Sequence, residues 1–304
     1  MSEPYTGRVL GAVLTAMATP FDAAGDLDRD SAARLMHHLV GAGSDGLVIA
    51  GTTGEAPTLT DVERIALFRL AVAEVGGRAS VTAGTGTYDT AHSVHLTRAA
   101  ADAGVDAVLV VTPYYNRPPR EGIVAHFRAV AEVGLPVVVY NIPSRTGLNL
   151  PPDLIAELAE IPNVRAVKQA NPDLDEARAI RARTDLALYA GNDDMLLPVL
   201  EMGGEGVISV ASHLAGPRMQ AIVAAARRGD AAEAERIDEE LRDLYAGLFV
   251  TTSPILLKAA LEMLGIIPCG RLRLPLVEAT PVQRDILRAV LAAQGIASPA
   301  AQRG

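Results

Sequence analysis

The chain has 304 residues, 49% hydrophobic and 21% charged, a globular composition without the bias of a fibre or a disordered tail. Its formal net charge of −9 argues against nucleic acid or an anionic membrane as partner. No apolar run reaches the roughly 18 residues that span a bilayer. Met1–Tyr5 shows neither the basic nor the apolar stretch of a secretory signal, and the single Cys269 excludes an internal disulfide or a cysteine-based zinc cluster. These features lead us to expect a cytoplasmic protein.

Strand-like runs occur at Val9–Ala18, Gly46–Ala50, Ser80–Gly84, Ala107–Val111, Pro136–Tyr140, Val164–Gln169, Leu186–Ala190 and Gly206–Val210. Helical patterns lie between them near 28–43, 61–76, 89–104, 120–134, 152–160, 173–184 and 193–202. Further helices follow near 216–228, 230–247, 254–265 and 281–294. Strands separated by helices imply parallel βαβ units with right-handed crossovers. Eight such units predict an α/β fold, a (β/α)8 TIM barrel with an appended C-terminal helical bundle; an open doubly wound sheet is the alternative. We therefore expect a barrel catalytic domain over 1–211. Residues 212–304 would hold the last barrel helix, the bundle and a frayed tail from Ser298. Asp28, the Thr60/Glu63 capping box and Asp89 mark helix starts, and Gly43, Gly76-Gly77, Gly104 and Gly134 mark helix ends.

Of the 27 basic side chains only Lys168 and Lys258 are lysines; the rest are arginines. An amine nucleophile must be a lysine, because arginine does not deprotonate in proteins. Lys168 falls in an apolar strand near its C-terminal end, where barrel chemistry resides and where desolvation favours the neutral amine. A neutral amine can attack a ketone and form a Schiff base, an electron sink. The competing reading of a barrel-end lysine is a structural ion pair. Lys258 follows Pro254 on a C-terminal helix, where exposure on the helix face or an ion pair is expected.

Other strand ends lead into polar loops: Gly51-Thr52-Thr53-Gly54-Glu55, Thr112-Pro113-Tyr114-Tyr115-Asn116, Tyr140 through Gly147, and Gly191-Asn192-Asp193-Asp194. Thr52, Tyr115 and Tyr140 suit a proton relay, although paired tyrosines also serve as core. Gly51 and Gly54 would let the chain turn tightly and offer N–H groups to an anion. Arg145 is suited to binding a carboxylate through two hydrogen bonds. The Gly84–Gly86 stretch lacks the third glycine of a dinucleotide loop, and Asp26, Asp28 and Asp30 lack the glycine of a calcium loop.

Taken together, Gly51–Glu55, Thr112–Asn116, Tyr140–Gly147, Lys168 and Gly206–Val210 resemble the dihydrodipicolinate synthase branch of the pyruvate-dependent class I aldolases, within the N-acetylneuraminate lyase superfamily. The resemblance runs over nearly the whole chain, in order and at matching spacings. It implies that Lys168 forms a Schiff base with pyruvate while Tyr140 donates and accepts protons above it. It implies a relay of Thr52, Tyr140 and Tyr115, with Tyr115 supplied by a neighbouring subunit. Thr53 would hold the pyruvate carboxylate, Arg145 that of L-aspartate 4-semialdehyde, and Gly191 and Ile208 would offer backbone groups. The implied product is 4-hydroxy-tetrahydrodipicolinate, for lysine and diaminopimelate synthesis, from a homotetramer built as a dimer of dimers. No cofactor and no metal are implied.

The sequence departs from that pattern at Gln169, Asn192 and Ser253, none of which has a proposed catalytic role. Lysine-inhibited relatives carry histidines and a glutamate in an interface pocket; here the matching positions are Asp61, Arg64 and His92, with Tyr88 where an asparagine is usual, which predicts weak or absent inhibition by lysine. The alternatives are an N-acetylneuraminate or 2-keto-3-deoxy-sugar-acid aldolase, or a barrel that binds a keto acid without catalysis.

Overall fold

The computed structural model describes residues 10–296; the expectations at Val9 and for the tail from Ser298 lie outside the described residues. Eight parallel strands close into a barrel in sequence order: β1 (Val13–Ala16), β2 (Gly46–Ile49), β3 (Ser80–Gly84), β4 (Ala107–Val111), β5 (Val137–Asn141), β6 (Val164–Gln169), β7 (Ala187–Ala190) and β8 (Gly206–Ser209). Leu14 of β1 pairs with Ile208 of β8, which closes the sheet and excludes the open alternative. β1 is shorter than its apolar run because the Ala18 N–H turns away to donate to His213 Nε2 at 3.1 Å.

The outer layer is formed by α1 (Arg29–Gly41), α2 (Asp61–Val75), α3 (Thr90–Ala103), α4 (Arg120–Ala131), the single turn α5 (Pro143–Thr146), α6 (Pro152–Ala159), α7 (Leu174–Arg183), α8 (Leu196–Glu201) and α9 (Ser212–Arg227). The chain continues through α10 (Ala231–Leu248), α11 (Ile255–Met263) and α12 (Pro281–Ala293), with α10 packed on both α9 and α12. The expected caps form: Asp28 accepts from the Ser31 N–H, Thr60 and Glu63 make a reciprocal capping box, and Asp89 accepts from the Ala91 and His92 N–H groups. Gly104 ends α3 with φ +82°, a conformation that only glycine adopts without strain.

Two elements differ from the sequence reading. α9 begins at Ser212 rather than near 216, and its backbone breaks helical geometry at Ala215, just ahead of Pro217. Proline fits the first turn of a helix, so the sequence pattern starts there and misses the turn before it. α5 was not foreseen, because four residues are too few to show a helical period.

Side chains alternate between two cores, as the pleat requires. Leu14, Leu109, Val138, Ala166, Tyr189 and Ile208 belong to the cluster inside the barrel. Val13, Val108, Val137, Val139 and Val167 belong to the larger cluster between sheet and helices. Each wholly buried valine or leucine contributes roughly 1.5–3 kcal/mol. Two residues on from Ala166, Lys168 has the same phase and is directed inward.

Candidate active site

The parallel register sets Tyr140 of β5 opposite Lys168 of β6, and Lys168 opposite Tyr189 of β7. Lys168 Nζ lies 4.4 Å from the centroid of the Tyr140 ring, a cation–π distance. Both residues are buried. Among the described residues, Lys168 makes no ion pair. The structural ion pair weighed for it belongs instead to Lys258, which is fully buried on α11. Lys258 Nζ lies 2.8 Å from Glu55 Oε1, donates to the Thr19 carbonyl at 2.9 Å and stands 4.2 Å from the Phe21 ring centroid. Exposure of Lys258 on a helix face is thereby excluded.

A cavity of about 200 Å³ opens at the C-terminal ends of the strands. Its wall carries Thr52, Tyr140 and Arg145, three of the residues expected from the sequence. Lys168 is not on the wall and borders it through the Tyr140 ring. Thr53 is buried in the same turn. Arg145 is exposed on α5, and its Nη2 donates to the Ser253 carbonyl at 3.2 Å. Ile208 is buried inside the barrel. The Gly191 N–H donates to the Gln169 carbonyl at 2.7 Å. A Cβ at position 191 would stand 2.5 Å from Ala170 Cβ, so glycine is required by close approach.

Tyr115 is not brought to this wall. It is 91% exposed with φ +69°, while its neighbour Tyr114 lines the cavity. One chain therefore juxtaposes Thr52 and Tyr140 but not the third member of the expected relay. The turn before it also differs from expectation. The left-handed positions are Ala50 (φ +52°) and Glu55 (φ +57°), not Gly51 and Gly54. Gly54 is needed for space, since a Cβ there would meet the Met17 carbonyl at 3.1 Å. The buried Glu55–Lys258 pair ties down one strained end of this turn.

Three positions that the sequence reading named without giving them a part in the active site lie at or beside it. Tyr114 and Arg64 line the cavity. Burial pushes the Tyr114 hydroxyl pKa up, against the pull of Arg64. Arg64 shares the buried face of α2 with Leu67, Phe68, Ala71 and Val75, so an arginine breaking an apolar helical stripe was the available signal. Asp193, in the turn after β7, holds the β8–α9 corner: Oδ1 accepts from Ser209 Oγ (2.5 Å) and the Val210 N–H (3.1 Å), and Oδ2 from the Ala211 N–H (3.0 Å). Burial raises the Asp193 pKa, whereas these hydrogen bonds and the charge of Lys168 lower it.

A larger cleft of about 550 Å³ lies at the opposite end of the barrel, beside the first residues of β6 and β7. Arginines and acids line it together, with no lysine and no tyrosine, so it offers none of the imine chemistry.

Asp61, His92 and His95 meet one another, whereas Tyr88 packs on Tyr114. His92 Nε2 lies 2.8 Å from Asp61 Oδ1, and His95 Nε2 lies 3.7 Å from Oδ2. Tyr88 meets Tyr114 edge to face at 5.5 Å.

A sequence profile described as the dihydrodipicolinate synthetase family matches residues 9–294. A 4-hydroxy-tetrahydrodipicolinate synthase of Moorella thermoacetica is 51% identical over 289 residues, covering 94% of this chain and 99% of its own. One from Heliobacterium modesticaldum is 49% identical, covering 94% of this chain and 96% of its own. Among solved structures, the enzyme of Cyanidioschyzon merolae with lysine bound superposes with a TM-score of 0.92 at 43% identity, covering 95% of this chain and 99% of its own. That of Thermotoga maritima gives 0.92 at 39% identity, covering 95% and 100%.

Proposed function

The chain belongs to the dihydrodipicolinate synthetase family, and on that premise we propose that it condenses pyruvate with L-aspartate 4-semialdehyde to 4-hydroxy-tetrahydrodipicolinate, a step of lysine and diaminopimelate synthesis. The observation that carries this reading is the inward Lys168 beside Tyr140, unpaired with any described carboxylate, next to a cavity with an arginine at its mouth. The Lys168 amine adds to the pyruvate ketone, and loss of water gives an iminium. That cation draws electrons from the adjacent methyl, which loses a proton and becomes an enamine nucleophile. The enamine carbon attacks the aldehyde, whose oxygen takes up a proton. The amine of the semialdehyde then adds to the imine carbon, closes the ring and expels Lys168 unchanged.

Tyr140 is suited to move protons at the imine, with Thr52 linking it to Tyr115 of a neighbouring subunit. The Thr52-Thr53 turn would hold the pyruvate carboxylate, and the guanidinium of Arg145 that of the semialdehyde. The carbonyl of Gly191 and the backbone at Ile208 would line the bound intermediate. The proposed working form is a cytoplasmic homotetramer, with the catalytic domain over 1–211 and the C-terminal helices from 212 supporting it. No described helix is long and apolar enough to cross a membrane.

The test is borohydride trapping with pyruvate, followed by peptide mass mapping and coupled assays with the semialdehyde and with sugar acids. An adduct on Lys168 and turnover of the semialdehyde are expected. An adduct on Lys258, no adduct, or turnover of sugar acids alone would overturn the reading.

A further inference from the structure

We propose that Arg64 is a specificity-determining residue whose charge, acting from within the cavity wall, selects anionic substrates. The inference rests on the function proposed above. The chain carries a formal charge of −9, which opposes the approach of any carboxylate. Yet the wall of the cavity contains two arginines, Arg64 and Arg145, and no aspartate or glutamate. The local field is therefore opposite in sign to that of the chain.

The two arginines are held differently. Arg145 is exposed on α5, with Nη2 donating to the Ser253 carbonyl and the rest of its fork facing outward to a substrate. Arg64 is only 6% exposed, in the first turns of α2. Its Nη2 donates to the Ala56 carbonyl, while Nε and Nη1 are enclosed without a hydrogen-bond partner among the described residues. None of the described ion pairs involves Arg64, and the nearby Asp61 is engaged by His92 at 2.8 Å. A guanidinium stays charged in such a site, and with no ion pair among the described residues its charge is only partly offset by Asp61. Little water intervenes to screen it, and the charge acts on anions in the cavity without touching them. A buried, unpaired charge destabilises a fold. Its presence on this wall is explained by substrate capture and not by stability.

The test compares Arg64→Met, which keeps an unbranched stem without charge, with Arg64→Lys, which keeps the charge. Thermal unfolding and steady-state kinetics over a range of ionic strength are measured on the assembled enzyme. R64M is expected to unfold at the same temperature or higher, with KM for aspartate semialdehyde raised about tenfold and kcat changed far less. Its kcat/KM should also depend less steeply on salt than the wild type. R64K should recover most of the affinity and of the salt dependence. An R64M enzyme with wild-type KM and salt slope, or an R64K enzyme no better than R64M, would overturn the inference and leave the proposed reaction standing. A wild-type protein that forms no pyruvate adduct would instead remove the reaction, and the inference with it.

Discussion

Lys258 Nζ lies 2.8 Å from Glu55 Oε1, with both side chains wholly enclosed and 203 residues apart in sequence. The pair joins α11 to the turn that carries Thr52 and Thr53. Glu55 Oε2 also accepts from the Arg273 N–H at 3.0 Å, so three segments meet on one carboxylate. Burial lowers the pKa of the Lys258 ammonium, and Glu55 opposes that. Removing one partner of a buried pair leaves the other uncompensated, so Lys258→Met is expected to lose about 3–5 kcal/mol in denaturant unfolding. The double variant with Glu55→Gln should recover a large part of that loss, because Gln can still accept from Arg273. Folded K258M should still yield the adduct on Lys168; loss of the adduct with retained stability would contradict the assignment.

Tyr115, 91% exposed in one chain, is expected to act in a neighbour's site. Tyr115→Phe and Lys168→Arg should each be nearly inactive alone. Co-assembled, the two chains form mixed dimers in which one of two sites has both native residues, and about a quarter of the wild-type activity should return. Co-assembly without recovery would show that Tyr115 does not work across subunits.

Two enclosed histidines give a pH dependence of stability. Burial holds His126 and His213 at about 4, below their ordinary 6.5. His213 Nδ1 donates to the Val210 carbonyl at 2.8 Å and Nε2 accepts from the Ala18 N–H, so the neutral ring is the one that fits. The unfolded chain binds these protons first, so stability is fully present above pH 6.5 and falls as pH drops towards 4, by up to about 3 kcal/mol per histidine. Asp238 acts in the opposite direction: burial raises it to about 6, so its contribution is lost as pH rises from 3.8 to 6. In urea titrations, His213→Gln should flatten the loss between pH 6.5 and 4, and Asp238→Asn should steepen it. Equal slopes in all three proteins would refute the assignment.

Free L-lysine at about 1 mM is expected to leave the rate essentially unchanged. Asp61 is engaged by His92 and His95, and Arg64 places a cation beside it, so the carboxylate is already partnered and an ammonium would meet a like charge. Half-inhibition at lower concentrations would disprove this.

Much of the barrel was legible in the chain itself, because the strands are short apolar or β-branched runs separated by helical stretches, several of which start at caps such as Asp28, Thr60 and Asp89. The period of two also sets the inward phase of Lys168 from Ala166. The short α5 and the kink at Ala215 were not legible, since a single turn has no period and Pro217 resembles a helix start.

By itself, the sequence determined that any imine must form on one of two lysines, since all other basic side chains are arginines that cannot deprotonate. Only the tertiary structure showed how the surroundings of the two lysines differ, and it separated the exposed Arg145 from the buried Arg64 on the cavity wall. The physical reason is that a side chain's charge state and reach depend on burial and on partners far away in sequence. Lys258 meets Glu55 from 203 residues away, whereas Lys168 meets the face of Tyr140 and no carboxylate among the described residues. Local pattern specifies where a residue lies along a strand or helix; the closing of β1 on β8 specifies what it faces.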